Sequence, residues 1–258
     1  MGIKFEKFLI KIGEDLNTIL GENFFGFYIY GSLTYGGFRP KSSDLDCVAV
    51  TKKVFNRKEF DSLSKWYSRL LKEESQLAKR LEIAFAVKKI VFKDNSKRTA
   101  VIHKGEFNKR ADSDANNPIT WLNIKETGIT VLGPDPETFV PDITKIILKD
   151  ALKKEFKYIV DRPDKFFSED WSKVYVILTF CRIVYTLKTG KIKSKKSAAE
   201  WCLENLPKKY HPIIFSAAKA LAEGNNWKNL CHPAHGVSER SMKEINSFSQ
   251  HVRSLLYK

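Results

Sequence analysis

Tyr30-Gly31-Ser32-Leu33-Thr34-Tyr35-Gly36-Gly37-Phe38-Arg39-Pro40-Lys41-Ser42-Ser43-Asp44-Leu45-Asp46 is the stretch whose reading decides the fold. It follows Phe24 to Tyr30, an aromatic-rich run that suits a buried strand, and opens on Gly-Ser. A residue without a side chain lets the backbone come close to a ligand, and turn N–H groups with the Ser32 hydroxyl can hold phosphate oxygens. Gly36 and Gly37 let the chain return. Asp44 and Asp46 then begin a second strand, Leu45 to Thr51, where a period of two sends both carboxylates to the same side. Two adjacent anions call for a cation, and hard carboxylate oxygens completed by water and phosphate suit Mg²⁺.

Working outward, Leu81 to Val87 reads as a third buried strand. Glu82 shares a face with Ala84 and Ala86, while Leu81, Ile83, Phe85 and Val87 take the other. A carboxylate opposite small residues can extend a metal site or accept a proton from an attacking hydroxyl. Phe5, Phe8, Leu9, Ile12, Leu16 and Ile19 predict an amphipathic helix over 3–20, ended by Gly21. A second helix is expected over 56–80, with Phe60, Leu63, Trp66 and Leu70 on one side. The stretch from Lys93 to Pro118 is polar and aperiodic, and irregular structure is expected there.

Gly133-Pro134-Asp135-Pro136 and Pro141 punctuate the chain, and everything beyond reads as helical, over about 142–160, 171–189, 195–206, 211–223 and 239–257. The expected architecture is an α/β (α+β) domain with a mixed sheet over residues 1–140, followed by an all-α bundle over 141–258. With 258 residues, 43% of them hydrophobic, the chain can build both cores, and fibrous or disulfide-scaffold classes are excluded. The net charge of +15 is uneven: residues 1–140 carry +5 and 141–258 carry +10. Such a surplus attracts anions in general and chooses none. Cys47, Cys181, Cys202 and Cys231 are too far apart for a C-x-x-C motif, which fits a reducing cytoplasm. No signal-peptide run or membrane-length apolar stretch is visible. Cys231-His232 with His235 lacks a fourth ligand at normal spacing and reads as a loop. Trp171, Trp201 and Trp227 read as packing residues, and His103 and His211 support no assignment.

Gly31-Ser32 with Asp44-Leu45-Asp46 resembles the signature of the polymerase-beta-like nucleotidyltransferase superfamily. Within it, the chain resembles the aminoglycoside adenylyltransferases that modify streptomycin and spectinomycin. The segments that carry the resemblance include Leu81-Glu82, Gly105-Glu106-Phe107, Val131-Leu132-Gly133-Pro134, Leu178-Thr179 with Arg182-Ile183, Thr189-Gly190-Lys191-Ile192 with Lys195, and Ala198-Ala199-Glu200-Trp201 with Leu206-Pro207.

The resemblance implies ATP as co-substrate in a cleft between the domains, magnesium on Asp44 and Asp46 extended by Glu82, and Glu82 as catalytic base. It also implies Gly31, Ser32 and Ser43 at the triphosphate, and Arg182 and Lys195 on ATP phosphates. For the acceptor it implies Phe107, where relatives have Trp, and Ser172, where relatives have an acidic residue, with Glu169 and Asp170 nearby. A family tyrosine falls at Leu221, and the turn before Asp44 is one residue longer. The expected reaction is AMP transfer from ATP to a hydroxyl of a small polar acceptor, by a monomer in the cytoplasm with no membrane partner. One alternative is a nucleic acid or protein as acceptor, although no RRM, KH or zinc-finger pattern supports a nucleic-acid partner. Another is a non-catalytic nucleotide-binding regulator, against which the retention of all three carboxylates argues.

Overall fold

Leu9, Ile12 and Leu16, spaced for one helical face and fully buried, dock the first helix α1 (Ile3–Leu20) on a six-stranded sheet. The computed structural model describes residues 3–40, 43–90, 100–109, 114–223 and 239–258. These fall into two units, Met1–Asp142 and Ile143–Lys258.

In the first unit, α1 is followed by β1 (Phe24–Ile29), β2 (Leu45–Thr51), α2 (Arg57–Glu73), a short α3 (Ser75–Ala78) and β3 (Leu81–Val87). Next come β4 (Ala100–His103), β5 (Glu106–Lys109), α4 (Pro118–Thr127) and β6 (Ile129–Leu132). The sheet order is β5-β4-β3-β2-β1-β6. β2 and β3 run parallel in unbroken register from Leu45↔Leu81 to Thr51↔Val87, with α2 and α3 in the crossover, and the remaining pairs are antiparallel. The sheet is therefore mixed.

One face of the sheet packs Ile29, Cys47, Ala49, Ile83, Phe85 and Ile102 against α1 and α2. Asn56 caps α2 in a reciprocal capping box with Glu59. The expected single helix over 56–80 is broken at Glu74, where the backbone leaves helical values, and the Tyr67 hydroxyl ties the α3 turn back through the Ala78 carbonyl at 2.9 Å.

On the other face, Tyr28 packs edge-on to Trp121 of α4, and both meet Phe139. The indole N–H of Trp121 donates to the Ala115 carbonyl at 2.7 Å, and the helical turn Asp114–Asn116 lies against β3. Ala84 and Ala86 are consequently buried. The face expected to leave room for a ligand is open only at its Glu82 end. The region expected to be irregular, Lys93 to Pro118, contains β4, β5 and the 114–116 turn among its described residues.

The second unit is helical: α5 (Lys145–Val160), α6 (Pro163–Phe166), α7 (Asp170–Thr189), α8 (Lys195–Asn205), α9 (His211–Ala222) and α10 (Glu239–Tyr257). Phe156, Phe180 and Phe248 form a chain of aromatic contacts joining α5, α7 and α10. Gly190, in the left-handed region at φ 72°, ends α7, and the Ser194 hydroxyl accepts the Ser197 N–H at 3.1 Å to start α8. Trp201 packs edge-on to Tyr185, as expected of a packing residue. Cys47, Cys181 and Cys202 are free buried thiols; burial first, and then the hydrogen bond with Cys202, pushes the Cys181 thiol well up. The Trp171 side chain, Trp227 and the Cys231-His232-His235 group lie outside the described residues.

Trp121 anchors α4 and the 114–116 turn, so Trp121→Ala should cost about 3–5 kcal/mol of stability in urea unfolding. Ile10→Ala, on the exposed side of α1, should change it by no more than about 0.5 kcal/mol.

Candidate active site

The parallel register sets Asp46 directly beside Glu82. The row continues on both sides: the Tyr30 N–H bonds the Asp46 carbonyl at 3.0 Å, and on β4 His103 brings Nδ1 within 2.7 Å of Glu82 Oε1. His103 pairs in turn with Glu106. Tyr30, Asp46, Glu82, His103 and Glu106 thus form one line across five neighbouring segments of chain. Asp44 stands exposed one residue ahead of β2.

The electrostatics follow from this crowding. Burial, followed by the charges of Asp44, Asp46 and Asp114, pushes the Glu82 carboxyl from its ordinary value up to about 8, with Lys104 pulling weakly the other way. Burial, then Asp114, Asp46, Cys47 and Glu82, pushes the Tyr30 phenol well up and keeps it neutral. The Cys47 thiol is pushed well up by burial and then by Asp46, so it supplies no thiolate.

Gly31 is required beside this row for a reason other than ligand approach. It lies at φ 76°, and a Cβ there would sit 2.2 Å from Asp46 Oδ2. Its N–H donates to Asn123 Oδ1 at 2.8 Å, a buried bond, so this donor is not offered to phosphate. Asn123 in turn donates to Thr127 Oγ1, which contacts Thr34 Oγ1, so α4 clamps the Gly-Ser turn. The half-buried Ser32 hydroxyl has no hydrogen-bond partner among the described residues.

Ser43 is tied into its loop: its hydroxyl accepts the Arg39 N–H at 2.9 Å. Arg80 donates through Nε to the Ser43 carbonyl at 2.8 Å and through Nη1 to the Pro40 carbonyl at 2.7 Å, with Phe5 and Phe38 on its guanidinium. The residue just before β3 therefore holds the loop that delivers Asp44.

The candidate acceptor residues fall elsewhere. Phe107 pairs with Ile102 on the core face, stacks on Phe60 at 4.8 Å and meets Phe85, so it turns away from the Glu82 face. Ser172 is buried, and its hydroxyl donates to the Glu169 carbonyl at 2.6 Å while accepting the Glu169 N–H, which makes it a helix cap. Asp170 begins α7, and its side chain lies outside the described residues. In the second unit, Arg182 is half-buried with no ion pair or hydrogen bond among the described residues, and Lys195 lies 4.7 Å over the Tyr175 ring. One turn before Arg182, the buried Thr179 hydroxyl also lacks a partner.

Among the described residues no three His, Cys, Asp or Glu side chains are already drawn into a metal-holding group. The donor chemistry nonetheless fits Mg²⁺, which takes one or two carboxylates and completes its shell with water and phosphate. Asp46 and Glu82 are register partners, Asp44 is exposed ahead of β2, and Lys104 is the one cation among the described residues that lowers Glu82. His103, Lys104, Asp114, Asn123 and Arg80 went unassigned in the sequence. His103, two residues after Val101, and Lys104, ahead of Gly105, carried a signal, and the hairpin that gives them meaning was not anticipated.

Comparison with known proteins bears on this geometry. Residues 138–244 match the family described as aminoglycoside adenylyltransferase, C-terminal domain. The chain is 26% identical to the spectinomycin 9-adenylyltransferase of Campylobacter jejuni, covering 92% of this chain and 93% of that one. It is 24% identical to the aminoglycoside (3'')(9) adenylyltransferase of Klebsiella pneumoniae, covering 83% and 87%. The spectinomycin adenyltransferase AAD(9) of an Enterococcus, solved with ATP and spectinomycin, shares the fold with a TM-score of 0.70 at 20% identity, over 99% of each chain. The mixed sheet followed by helices is the nucleotidyltransferase architecture. The C-terminal stretch thus matches the aminoglycoside adenylyltransferase family and the chain as a whole is similar to named adenylyltransferases; it is an enzyme of nucleotidyl transfer.

Because Glu82 is pushed up on folding, its contribution to stability is present below the ordinary carboxylate value and is lost as pH rises toward and through about 8. Thermal melts of metal-free protein should show this decline between pH 5 and 9 (pH units, set by the raised value), and Glu82→Gln should flatten it.

Proposed function

We propose that the enzyme transfers AMP from ATP to a hydroxyl of an aminoglycoside-type antibiotic, streptomycin, spectinomycin or both, and releases pyrophosphate. Position 9 recurs in the names of both relatives described above, which favours spectinomycin as the first acceptor to test. The observation that carries the reading is the register Asp46↔Glu82 beside the Gly31-Ser32 turn.

In this mechanism Asp44 and Asp46, extended by Glu82, are the residues that would hold magnesium. When bound, the ion supplies charge neutralisation for the phosphates and the developing negative charge. The Ser32 hydroxyl is assigned to a phosphate oxygen, and Arg182 and Lys195 of the helical unit to the triphosphate on their charge. Glu82 takes the proton of the acceptor hydroxyl as that oxygen bonds to the α-phosphorus. The bond from the α-phosphorus to the bridging oxygen breaks, and its electron pair leaves with pyrophosphate. A carboxyl pushed up to about 8 is a stronger base than an ordinary glutamate once it is deprotonated, which suits it to a hydroxyl proton.

The test incubates the protein with ATP, Mg²⁺ and a panel of streptomycin, spectinomycin and unrelated aminoglycosides while pyrophosphate is followed. Adenylylated drug is the expected product, and turnover only with RNA or protein would overturn the acceptor assignment. Asp46→Asn should abolish transfer. Glu82→Gln should lower kcat by about 10²–10⁴-fold while calorimetric ATP affinity stays near wild type. Arg182→Ala should weaken ATP binding by roughly 10-fold or more, the scale of one charge-assisted hydrogen bond.

A further inference from the structure

We propose that His103 is the positioning residue for Glu82. The proposal rests on the reading of Glu82 as the proton acceptor and adds to it the group that sets that carboxylate's orientation.

The geometry begins with the β4–β5 hairpin. Lys104 and Gly105 occupy its two-residue turn with φ 51° and 83°, both positive, as a tight hairpin of the I′ kind requires. That turn fixes His103 opposite Glu106. The antiparallel pairing Ile83↔Ile102 and Ala84↔Val101 then brings His103 level with Glu82. The side chains meet, with Nδ1 at 2.7 Å from Oε1, the length of a strong hydrogen bond. His103 Nδ1–H donates and the carboxylate accepts. With Oε1 committed to the imidazole, the side-chain torsions of Glu82 are fixed and Oε2 is left for the acceptor hydroxyl.

Packing does not account for the contact. The His103 side chain is 48% exposed, against 24% for Glu82, so the imidazole contributes little buried area and its main fixed contact is the carboxylate. Glu82 lies between Asp46 on β2 and His103 on β4, so the imidazole is a donor held by a hairpin on the side away from Asp46 and sets the carboxylate's direction. In sites of this kind, loss of the group that orients a ligand or base costs about 10–100-fold.

Two measurements decide it. In ¹⁵N spectra of histidine-labelled protein, with His103 assigned through the His103→Asn variant, Glu82→Gln is expected to shift the His103 Nδ1 resonance. An unshifted resonance overturns the contact, and it does so even in a protein that transfers AMP to no acceptor, the outcome that would instead remove the functional reading. In steady-state assays, His103→Leu is expected to lower kcat about 10-fold with KM for ATP unchanged. His103→Asn, whose amide N–H can stand in for Nδ1–H, is expected to recover most of that loss. A His103→Leu enzyme with wild-type kcat overturns the proposal, and so do equal losses in the Leu and Asn variants at equal melting temperatures, which would leave the imidazole without an orienting role.

Discussion

Two carboxylates forced side by side are the constraint around which this domain is arranged. The parallel ladder between β2 and β3 admits no slip, because one residue of slip would turn Cys47, Ala49, Ile83 and Phe85 out of the core. The apolar pattern that locks the register therefore also locks Asp46 against Glu82. Placing Glu82 there is a cost of the fold, since burial and then the charges of Asp44, Asp46 and Asp114 push its carboxyl up, and the hydrophobic face of the same strands outweighs that cost.

The surroundings of the row act as supports for it. Gly31 lacks a side chain so that the Asp46 carboxylate can lie against the backbone, and the N–H that this exposes is taken by Asn123. A buried amide bonded at both its oxygen and its nitrogen is a stiff element, because losing either bond would leave a polar group stranded. Arg80 does for the Asp44 side what Asn123 does for the Ser32 side, holding loop carbonyls with a group whose charge is spread over two aromatic rings. Both supports set where the flanking chain can go.

How much of this was legible depends on which interactions are local. The turn from Tyr30 to Asp46 and the apolar runs of β1, β2 and β3 announce themselves through alternation and glycine, and β2 and β3 lie where those runs place them. The β4–β5 hairpin did not, because its strands are four residues long and mix Val101 and Ile102 with His103, Glu106 and Asn108, leaving too little alternation to outweigh the polar texture. The Lys104-Gly105 turn was its readable sign. The start of α4 was equally marked by Asn117-Pro118, a capping side chain followed by the residue best suited to the first helical position. The surroundings of Phe107 and Ser172 were hidden for a different reason: which face Phe107 takes is decided by pairing with Ile102, and what Ser172 bonds to is decided by helix capping. Sequence order carries neither.

A net charge of +15 looks at first incompatible with a polycationic acceptor. At physiological ionic strength the screening length is about 8 Å, so lysines spread over the surface act weakly on a molecule held in the proposed site, where a carboxylate in direct contact is screened much less. Two-thirds of the excess positive charge lies beyond residue 140, in the helical unit that carries Arg182, and the carboxylate row lies on the sheet of the first unit. Phosphates and ammonium groups need partners of opposite sign. Each unit carries both signs, so the requirement is met by local placement: at Glu82, on the sheet of the first unit, burial and then the charges of Asp44, Asp46 and Asp114 outweigh the opposing pull of Lys104.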